Sequence, residues 1–387
     1  MTTMAIDNKD KKVLNVPHLR FPEFSGEWKK HSLGEIGETI IGLTYKPSDV
    51  VDNNGIIVFR SSNIKNGMID YSDLVRVNKH IKDKIITKEN DILVCARNGS
   101  QRLIGKNAII KQEDANNTFG AFMMVYRAND NPFILPLLST KKYFSQVGEN
   151  LGARINQITT SDFNGFEFYF PENHAERTKI AELFRLLDER IATQNKIIED
   201  LKKLKSAISE RLLKGVKGST VLLSDICDIV KGKQINGENL SESGNYYVMN
   251  GGTELSGYYD DYNVEANTIS ISEGGNSCGY VQFNTSPFWS GGHCYSIQDI
   301  TDNVDNLYLY HYLKSKEDAI MKLRIGSGLP NIQKKDLAMF KIKIPAVEQQ
   351  LKISTFLSSL ERKAEIEERI QNALLKEKQY LLHQMFI

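Results

Sequence analysis

The sequence has 387 residues, a length that predicts about two domains with connecting structure. Apolar residues make up 41% and charged residues 25%, so wholesale disorder and collagen-like structure are excluded. The 49 basic and 48 acidic residues leave a net charge of +1, which gives no support to a non-specific nucleic-acid binder, because such a protein would be clearly basic.

Neither the start of the sequence nor its interior predicts a membrane role. No apolar run approaches the roughly 18 residues of a membrane span, and the first dozen residues lack a signal-peptide core. We therefore expect a cytoplasmic protein without membrane contact. Four widely spaced cysteines predict buried free thiols in place of a disulfide framework or a structural zinc site, and we expect no metal. They are Cys95, Cys227, Cys278 and Cys294.

One long unit of the sequence occurs twice. Leu33-Gly-Glu-Ile-Gly37 aligns with Leu223-Ser-Asp-Ile-Cys227, and each copy ends at a proline, Pro171 or Pro345, that precedes a long helical pattern. The repeat predicts globular domains that alternate with helices. The predicted segments are an N-terminal arm at 1–32, a first domain at 33–171, a central helix at 172–217, a second domain at 218–345 and a C-terminal helix at 346–387.

Both globular domains are predicted to be rich in strands, with some helix. Short apolar runs bounded by Gly, Asn and Asp are typical of strands, and Pro132 fits the start of a helix because it lacks an N–H. In the first domain we expect strands at 56–59, 91–95, 107–110 and 121–126, and a helix at 132–148. In the second domain we expect strands at 246–249, 268–271, 280–283 and 294–297, and a helix at 306–323.

The central segment is predicted to form one helix over 174–213, about 60 Å long. Asn173 can cap it, and Glu176 three residues later resembles the second half of a capping box. Apolar residues then alternate at spacings of three and four, with the polar Gln194 at one seam position. The predicted seam comprises Ile180, Phe184, Leu187, Ile191, Leu201 and Ile208, and in the second copy Leu357, Leu360, Ile370, Leu374 and Leu381.

Two such helices are expected to pack together as an antiparallel coiled coil, related by a pseudo-two-fold repeat. Two helices bury only part of these seams, so the pattern favours a further helical partner. The alternative is an intramolecular coiled coil that only spaces the two domains.

A search for catalytic motifs gives little. The segment Gly99–Asn107 resembles a phosphate loop, but it has five residues between its glycines and Asn where Ser or Thr would bind magnesium. Asp130-Asn-Pro-Phe133 resembles a methyltransferase loop without its second proline, and the start of a helix explains it better. Neither H-E-x-x-H nor G-x-S-x-G occurs. A nuclease site of scattered carboxylates stays open as an alternative.

Polar loops between the predicted strands are the remaining candidates. Arg can pair with guanine and Asn or Gln with adenine, and glycine lets a backbone approach a base or phosphate closely. Taken alone, each of these polar, glycine-containing loops is more typical of an ordinary turn than of a binding site. Two corresponding sets with different residues indicate one scaffold used twice to read two different things. The loops are 60–63 and 97–102 in the first copy, and 250–253, 273–277 and 289–293 in the second.

The whole arrangement resembles the specificity (S) subunits of type I DNA restriction-modification systems. The resemblance covers nearly the whole chain. Its residues are the entry Val16–Trp28 with Leu33–Gly37, the segments Ile271–Tyr280 and Pro287–His293, the run Gly328–Leu337 ahead of Glu348–Leu357, and the ending Gln384-Met-Phe386. The copies differ at 152–158 and 326–332, where Gly-Ala-Arg-Ile-Asn-Gln-Ile stands against Gly-Ser-Gly-Leu-Pro-Asn-Ile.

The resemblance implies a non-catalytic subunit whose two target recognition domains each read half of a split, asymmetric site in double-stranded DNA. The long helices would dock two methyltransferase (M) subunits, with restriction (R) subunits joining further out. S-adenosylmethionine, ATP and magnesium would belong to those partners. The candidate DNA-binding residues are Arg60, Ser62, Asn63, Arg97, Asn98, Ser100, Gln101 and Arg102 in the first copy, and Asn250, Gly252, Glu273, Asn276, Ser277, Trp289 and His293 in the second.

Two other functional classes stay open at this point. One is a self-contained DNA methyltransferase or nuclease, which would bind its cofactor alone. The other is a coiled-coil adaptor without a DNA role.

Overall fold

A computed structural model describes residues 15–151, 156–326, 328 and 330–387. The chain forms two compact units. The first combines the residues up to Thr193 with Gln371–Ile387, and the second is Gln194–Ile370. Part of the predicted N-terminal arm, and residues 152–155, 327 and 329 where the two copies differ in sequence, lie outside the described residues.

All described strands of the first unit precede the long helix α5, and α5 continues into the second unit. Its strands are β1 (Lys29–Ser32), β2 (Glu38–Ile41), β3 (Val50–Val51), β4 (Ile56–Phe59), β5 (Ile64–Lys65), β6 (Met68–Ile69), β7 (Arg76–Val77), β8 (Ile92–Cys95), β9 (Asn107–Ile109), β10 (Thr118–Phe119), β11 (Met123–Arg127) and β12 (Glu167–Phe170). Its helices are α1 (Leu33–Ile36), α2 (Asn131–Leu137), α3 (Lys141–Leu151), α4 (Thr160–Asn164) and α5 (His174–Lys214).

The second unit repeats this order, and its helix α9 continues into the first unit. The strands are β13 (Ser219–Leu222), β14 (Asp228–Lys231), β15 (Tyr246–Met249), β16 (Tyr258–Tyr259), β17 (Thr268–Ser272), β18 (Val281–Asn284), β19 (Trp289–Ser290), β20 (Cys294–Gln298) and β21 (Lys341–Ile344). The helices are α6 (Asn306–Ser315), α7 (Glu317–Met321), α8 (Lys334–Ala338) and α9 (Val347–Met385).

The main sheet of each unit has the same antiparallel topology. Its order is β2-β11-β8-β9 in the first unit and β14-β20-β17-β18 in the second. The pair β1–β12 corresponds to β13–β21, and the parallel pair β4–β10 corresponds to β15–β19. The predicted α+β class and the internal repeat are confirmed.

Both faces of the first main sheet are buried, which explains why its strands are continuous apolar runs. Leu93 and Val125 face one hydrophobic cluster, whereas Val94 and Met124 face the other. This alternation follows the two-residue period of a strand. The apolar runs predicted as strands at 91–95 and 121–126 therefore contain strands of this sheet with a hydrophobic cluster packed on each face.

Each predicted domain helix is divided in two in the structure, which corrects the single helices expected at 132–148 and 306–323. In the first unit, the Thr140 hydroxyl accepts a hydrogen bond from the Tyr143 amide at 3.3 Å and starts α3 anew after α2. In the second unit, α6 ends at Ser315, and the Glu317 carboxylate at the start of α7 accepts from the Val281 amide at 2.9 Å. The Thr140 bond is local, whereas the Glu317 bond ties the start of α7 to the sheet strand β18.

The long helices pack antiparallel within each unit. In the first unit Asp188 of α5 pairs with Lys378 of α9, and in the second unit Lys205 pairs with Glu361. Of the predicted seam residues, Ile180, Phe184, Ile191 and Leu357 are buried, and Leu187, Leu201, Ile208, Leu360, Leu374 and Leu381 are half-buried.

The structure places Ile370 off the seam, which corrects that assignment. Its side chain is 38% exposed. The seam of α9 instead passes through Glu367, whose carboxylate and backbone carbonyl both accept from the buried Gln194 amide, at 2.6 and 3.0 Å. A polar pair at a seam position fixes the register of two helices.

The start of α5 also differs from the predicted capping box. Asn173 does cap the helix, since its side-chain oxygen accepts from the Ala175 amide at 2.9 Å. The Glu176 carboxylate is fully buried, however, and binds the Arg20 guanidinium at 2.7 and 2.8 Å and the Trp28 indole at 3.3 Å. Residues expected to form an arm thus contribute both β1 and a buried ion pair with α5.

All four cysteines are buried, as expected. Burial raises the pKa of the Cys95 and Cys294 thiols to about 11 and that of the Cys227 thiol to about 12. These thiols stay protonated at neutral pH and are poor nucleophiles. None of the helices in the described part of the chain combines the length and apolarity that a membrane crossing requires.

We expect His311 to make the second unit sensitive to acid. Burial lowers the pKa of His311 from its usual 6.5 to about 4, although the nearby Glu361 opposes this shift. The native state therefore keeps a neutral imidazole, 2.9 Å from the Ser358 hydroxyl, while the unfolded state takes up a proton below pH 6.5. Stability falls as the pH drops from about 6.5 to 4, by about 2 kcal/mol at pH 5.

Hydrogen exchange of peptides from α6 checks this expectation at pH 7 and pH 5. The His311→Gln variant is the control, because it removes the titrating group and cancels the intrinsic pH dependence of exchange. Equal loss of protection in both proteins at pH 5 would contradict the expected role of His311.

Candidate nucleic-acid interface

The backbone hydrogen bonds at one end of the two main sheets define equivalent positions in the two units. The amides of Gly120 and Gly291 donate to the carbonyls of Phe59 and Met249, at 2.9 and 2.8 Å. The residues that follow these two acceptors, Arg60 and Asn250, are therefore equivalent. The sequence alignment alone did not place them opposite each other.

A second pair of bonds extends the correspondence. The Ala96 amide donates to the Phe122 carbonyl at 3.0 Å, and the Glu273 amide donates to the His293 carbonyl at 2.9 Å. The carbonyls of Ala96 and Glu273 then accept from the amides of Ile158 and Ile332, at 3.0 and 2.8 Å. The equivalent pairs are Ala96 with Glu273, Arg97 with Gly274, and Phe122 with His293.

Two glycines allow this end of each sheet to close. A Cβ on Gly42 would lie 2.3 Å from the Gly120 carbonyl oxygen, and a Cβ on Gly232 would lie 2.2 Å from that of Gly291. Any side chain would push these strands apart. The glycines therefore hold the same backbone in both units, and the side chains around them differ.

The first unit presents a cation beside an exposed aromatic ring. The Arg97 guanidinium lies 5.2 Å from the centre of the Phe122 ring, and Phe122 is 60% exposed. Asn98 donates to the Ser61 hydroxyl at 2.9 Å, which holds this loop against the neighbouring one. The exposed residues Ser62, Gln101 and Arg102 and the half-buried Arg60 and Ser100 lie in the same two loops.

Asn63 has a structural role, which corrects its assignment to DNA binding. Its side chain is fully buried, and its oxygen accepts from the Arg60 amide at 2.9 Å. Its amide group donates to the carbonyls of Asp70 and Asp73, at 3.0 and 2.8 Å. All of its hydrogen-bonding directions toward the protein are in use, so it cannot also reach a base.

The second unit presents a different set on the same scaffold. His293 is 62% exposed, and its amide donates to the Asn250 side-chain oxygen at 3.1 Å. The Trp289 indole donates to the Lys233 carbonyl at 2.9 Å, which orients the ring beside Tyr259. Asn276 is exposed, and Gly252 and Ser277 are half-buried in adjoining loops. Glu273 is buried beneath His293 and forms an ion pair with Lys231 at 2.6 Å.

Sequence reasoning missed Phe122 and Lys231. Phe122 falls inside the apolar run expected at 121–126, where an exposed aromatic residue cannot be told from a core residue. Lys231 ends a strand that composition did not single out. Phe122 is recognised only once the fold shows that it occupies the position of His293. Lys231 is recognised only once its ion pair with Glu273 is known.

Among the described residues, no three His, Cys, Asp or Glu side chains form a group that could hold a metal ion. The two surfaces carry cationic, amide, hydroxyl and aromatic groups on strand ends and on the loops beside them. Such groups pair with base edges and phosphates.

Comparisons with known proteins identify the family of the chain. The family model for the type I restriction modification DNA specificity domain matches residues 25–203 and 216–376. A Mycoplasma pneumoniae protein named as a type I specificity subunit is 31% identical over 145 residues, which are 37% of this chain and 38% of that protein. A Methanocaldococcus jannaschii protein named as the MjaX specificity subunit is 25% identical and covers 93% of each chain.

Among solved structures, the type I restriction-modification S subunit from M. genitalium has the same fold. Its TM-score is 0.68 at 20% identity, and the match covers 96% of this chain and 99% of that chain. By sequence, this chain spans about a third of the length of the specificity subunits of M. pneumoniae and M. genitalium that it matches.

Proposed function

Because the chain belongs to the family of type I restriction modification DNA specificity domains, we propose that it is the DNA-specificity subunit of a type I restriction-modification complex. Each unit reads one half of a bipartite, asymmetric site in double-stranded DNA. The chain recognises and does not catalyse. S-adenosylmethionine, ATP and magnesium are bound by its methyltransferase and restriction partners.

One observation supports this proposal above all others. Equivalent backbone positions carry different chemistry in the two units: Arg60 against Asn250, and Phe122 against His293. Arginine suits guanine, asparagine suits adenine, and an apolar group suits the thymine methyl. A repeat that served only to space two domains would have no need for different polar groups at matched exposed positions.

Exposed apolar side chains on the long helices support docking of two methyltransferase subunits there. In the first unit these include Leu186, Leu375 and Tyr380, and in the second Leu204, Leu351, Phe356 and Ile366. Such side chains, repeated along helices, are typical of a protein-interaction surface. The paired helices leave this surface uncovered, which supports helical partners over a spacer that acts alone.

The function is tested by mapping N6-methyladenine across the genome of the native host. We expect one split motif to disappear when the gene is deleted. In the Arg97→Ala variant we expect one position of one half-site to be relaxed, because loss of a good base contact costs about 1–3 kcal/mol of discrimination. The other half-site should be unchanged, since Arg97 belongs to the first unit.

Lys111→Ala is the matched control, because Lys111 is an exposed cation of the same unit outside the candidate loops. It should leave the motif intact. A change in both half-sites with Arg97→Ala would contradict independent reading by the two units. Binding of S-adenosylmethionine by the isolated chain in calorimetry would favour the self-contained methyltransferase.

A further inference from the structure

Glu273 has one satisfied and one unsatisfied carboxylate oxygen. Oε1 binds the Lys231 ammonium at 2.6 Å and lies 3.1 Å from the Tyr295 hydroxyl. Oε2 is buried and finds no hydrogen-bond partner among the described residues. The side chain as a whole is only 10% exposed. A buried charged oxygen without a donor is costly, so Oε2 is available to accept a hydrogen bond from a group that binds there.

His293 covers this oxygen without bonding to it. Its Nδ1 lies 3.8 Å from Oε2, beyond hydrogen-bond distance. The histidine is anchored through its backbone amide on Asn250, while its side chain stays largely exposed. Gly274 beside it has no side chain, and a Cβ there would lie 3.6 Å from Nδ1. The His293 side chain is 62% exposed, so the imidazole can turn toward solvent and away from the carboxylate.

The first unit lacks this feature at the equivalent place. Ala96 stands where Glu273 stands, and the large Arg97 side chain replaces Gly274. The carboxylate is thus not needed to build the shared backbone. It belongs to what distinguishes the second unit from the first.

We propose that Glu273 Oε2 accepts a hydrogen bond from the exocyclic amino group of a base in the major groove, and that His293 turns aside to admit it. This inference rests on the proposed function and deepens it. Only cytosine N4 and adenine N6 donate from the major groove, so the second half-site contains one of these two bases at the position facing Glu273. Lys231 and Tyr295 hold the carboxylate so that Oε2 points to the base.

The Glu273→Gln variant tests this by reversing the polarity of one atom. The Lys231 ammonium can only donate, so it keeps the amide oxygen at the Oε1 position, and the amide nitrogen then replaces Oε2. An acceptor becomes a donor. We expect methylation of the wild-type motif to fall at least about tenfold at one position of the second half-site, with new preference for guanine or thymine there.

The experiment compares genome-wide methylation maps of the native host carrying the wild type, Glu273→Gln, Glu273→Asp or Glu242→Gln. Glu242 is an exposed carboxylate of the same unit, so its variant controls for the change in charge. The base that is lost identifies cytosine or adenine as the source of the amino group. An unchanged motif with Glu273→Gln would overturn the inference while leaving the proposed function intact.

If the Glu273→Gln variant directs no methylation at all, the Glu273→Asp variant distinguishes the two explanations, because it keeps the carboxylate. Methylation of the original motif by the aspartate variant supports the acceptor role. Silence of both variants with a lowered thermal unfolding temperature overturns it, because the carboxylate then acts only through its ion pair. A wild-type gene whose deletion changes no methylation would instead refute the proposed function.

Discussion

The Arg20→Ala variant should lose about 3–5 kcal/mol of the free energy of unfolding of the first unit. Arg20 is the cation that binds the fully buried carboxylate of Glu176, through its Nε and Nη2 atoms. Its removal leaves that charge buried, with only the Trp28 indole as a donor among the bonds described above. An uncompensated buried charge is among the most destabilising single changes a fold can suffer.

Trp28 fluorescence during urea unfolding measures this loss, in a Trp289→Phe background that leaves a single tryptophan. Lys179→Ala is the matched control, since Lys179 links α5 to Glu23 through an exposed ion pair, and it should change stability little. The double variant Arg20→Ala with Glu176→Gln should recover part of the loss. Strict additivity of the two substitutions would show that the ion pair is not the cause.

The Phe386→Ala variant should destabilise the same unit by about 3–5 kcal/mol. The Phe386 ring is buried, and its centre lies 5.6 Å from Phe184, 5.8 Å from Phe133 and 6.3 Å from Trp28. Truncation removes these aromatic contacts and leaves a cavity beside the rings of Phe184, Phe133 and Trp28.

The same fluorescence measurement applies, with Phe144→Ala as the control. Phe144 lies in α3 of the same unit but is 46% exposed, so its truncation should matter far less. Equal losses for the two phenylalanines would contradict the assignment of Phe386 to the core.

Much of the fold follows from local sequence pattern. The runs at 56–59 and 246–249 coincide with β4 and β15, and the helix expected at 174–213 is α5 to within one residue. Two-residue and heptad periods are strong signals because a whole face of each element is buried. The repeat in the sequence likewise predicted the repeat in topology.

The failures arise where burial or tertiary contacts, which a local pattern does not reveal, decide what a side chain does. Glu176 has the spacing of a capping residue, but its partner Arg20 lies 156 residues away. Asn63 and Asn98 look alike in sequence, and only the tertiary structure shows that one amide is buried and the other holds two loops together. The local sequence pattern does not reveal that Phe122 is exposed, because the residue lies within an apolar run. The DNA-contact assignments remain predictions.

The division of the first unit into two stretches of sequence sets an order of events during synthesis. A ribosome makes the 177 residues of Gln194–Ile370 between the two parts of that unit, which takes roughly 9–35 s at 5–20 residues per second. Throughout this interval Trp28 and Phe133 lack Phe386. The second unit, one continuous stretch, can therefore finish folding first, whereas the core of the first unit stays incomplete until Phe386 has been made.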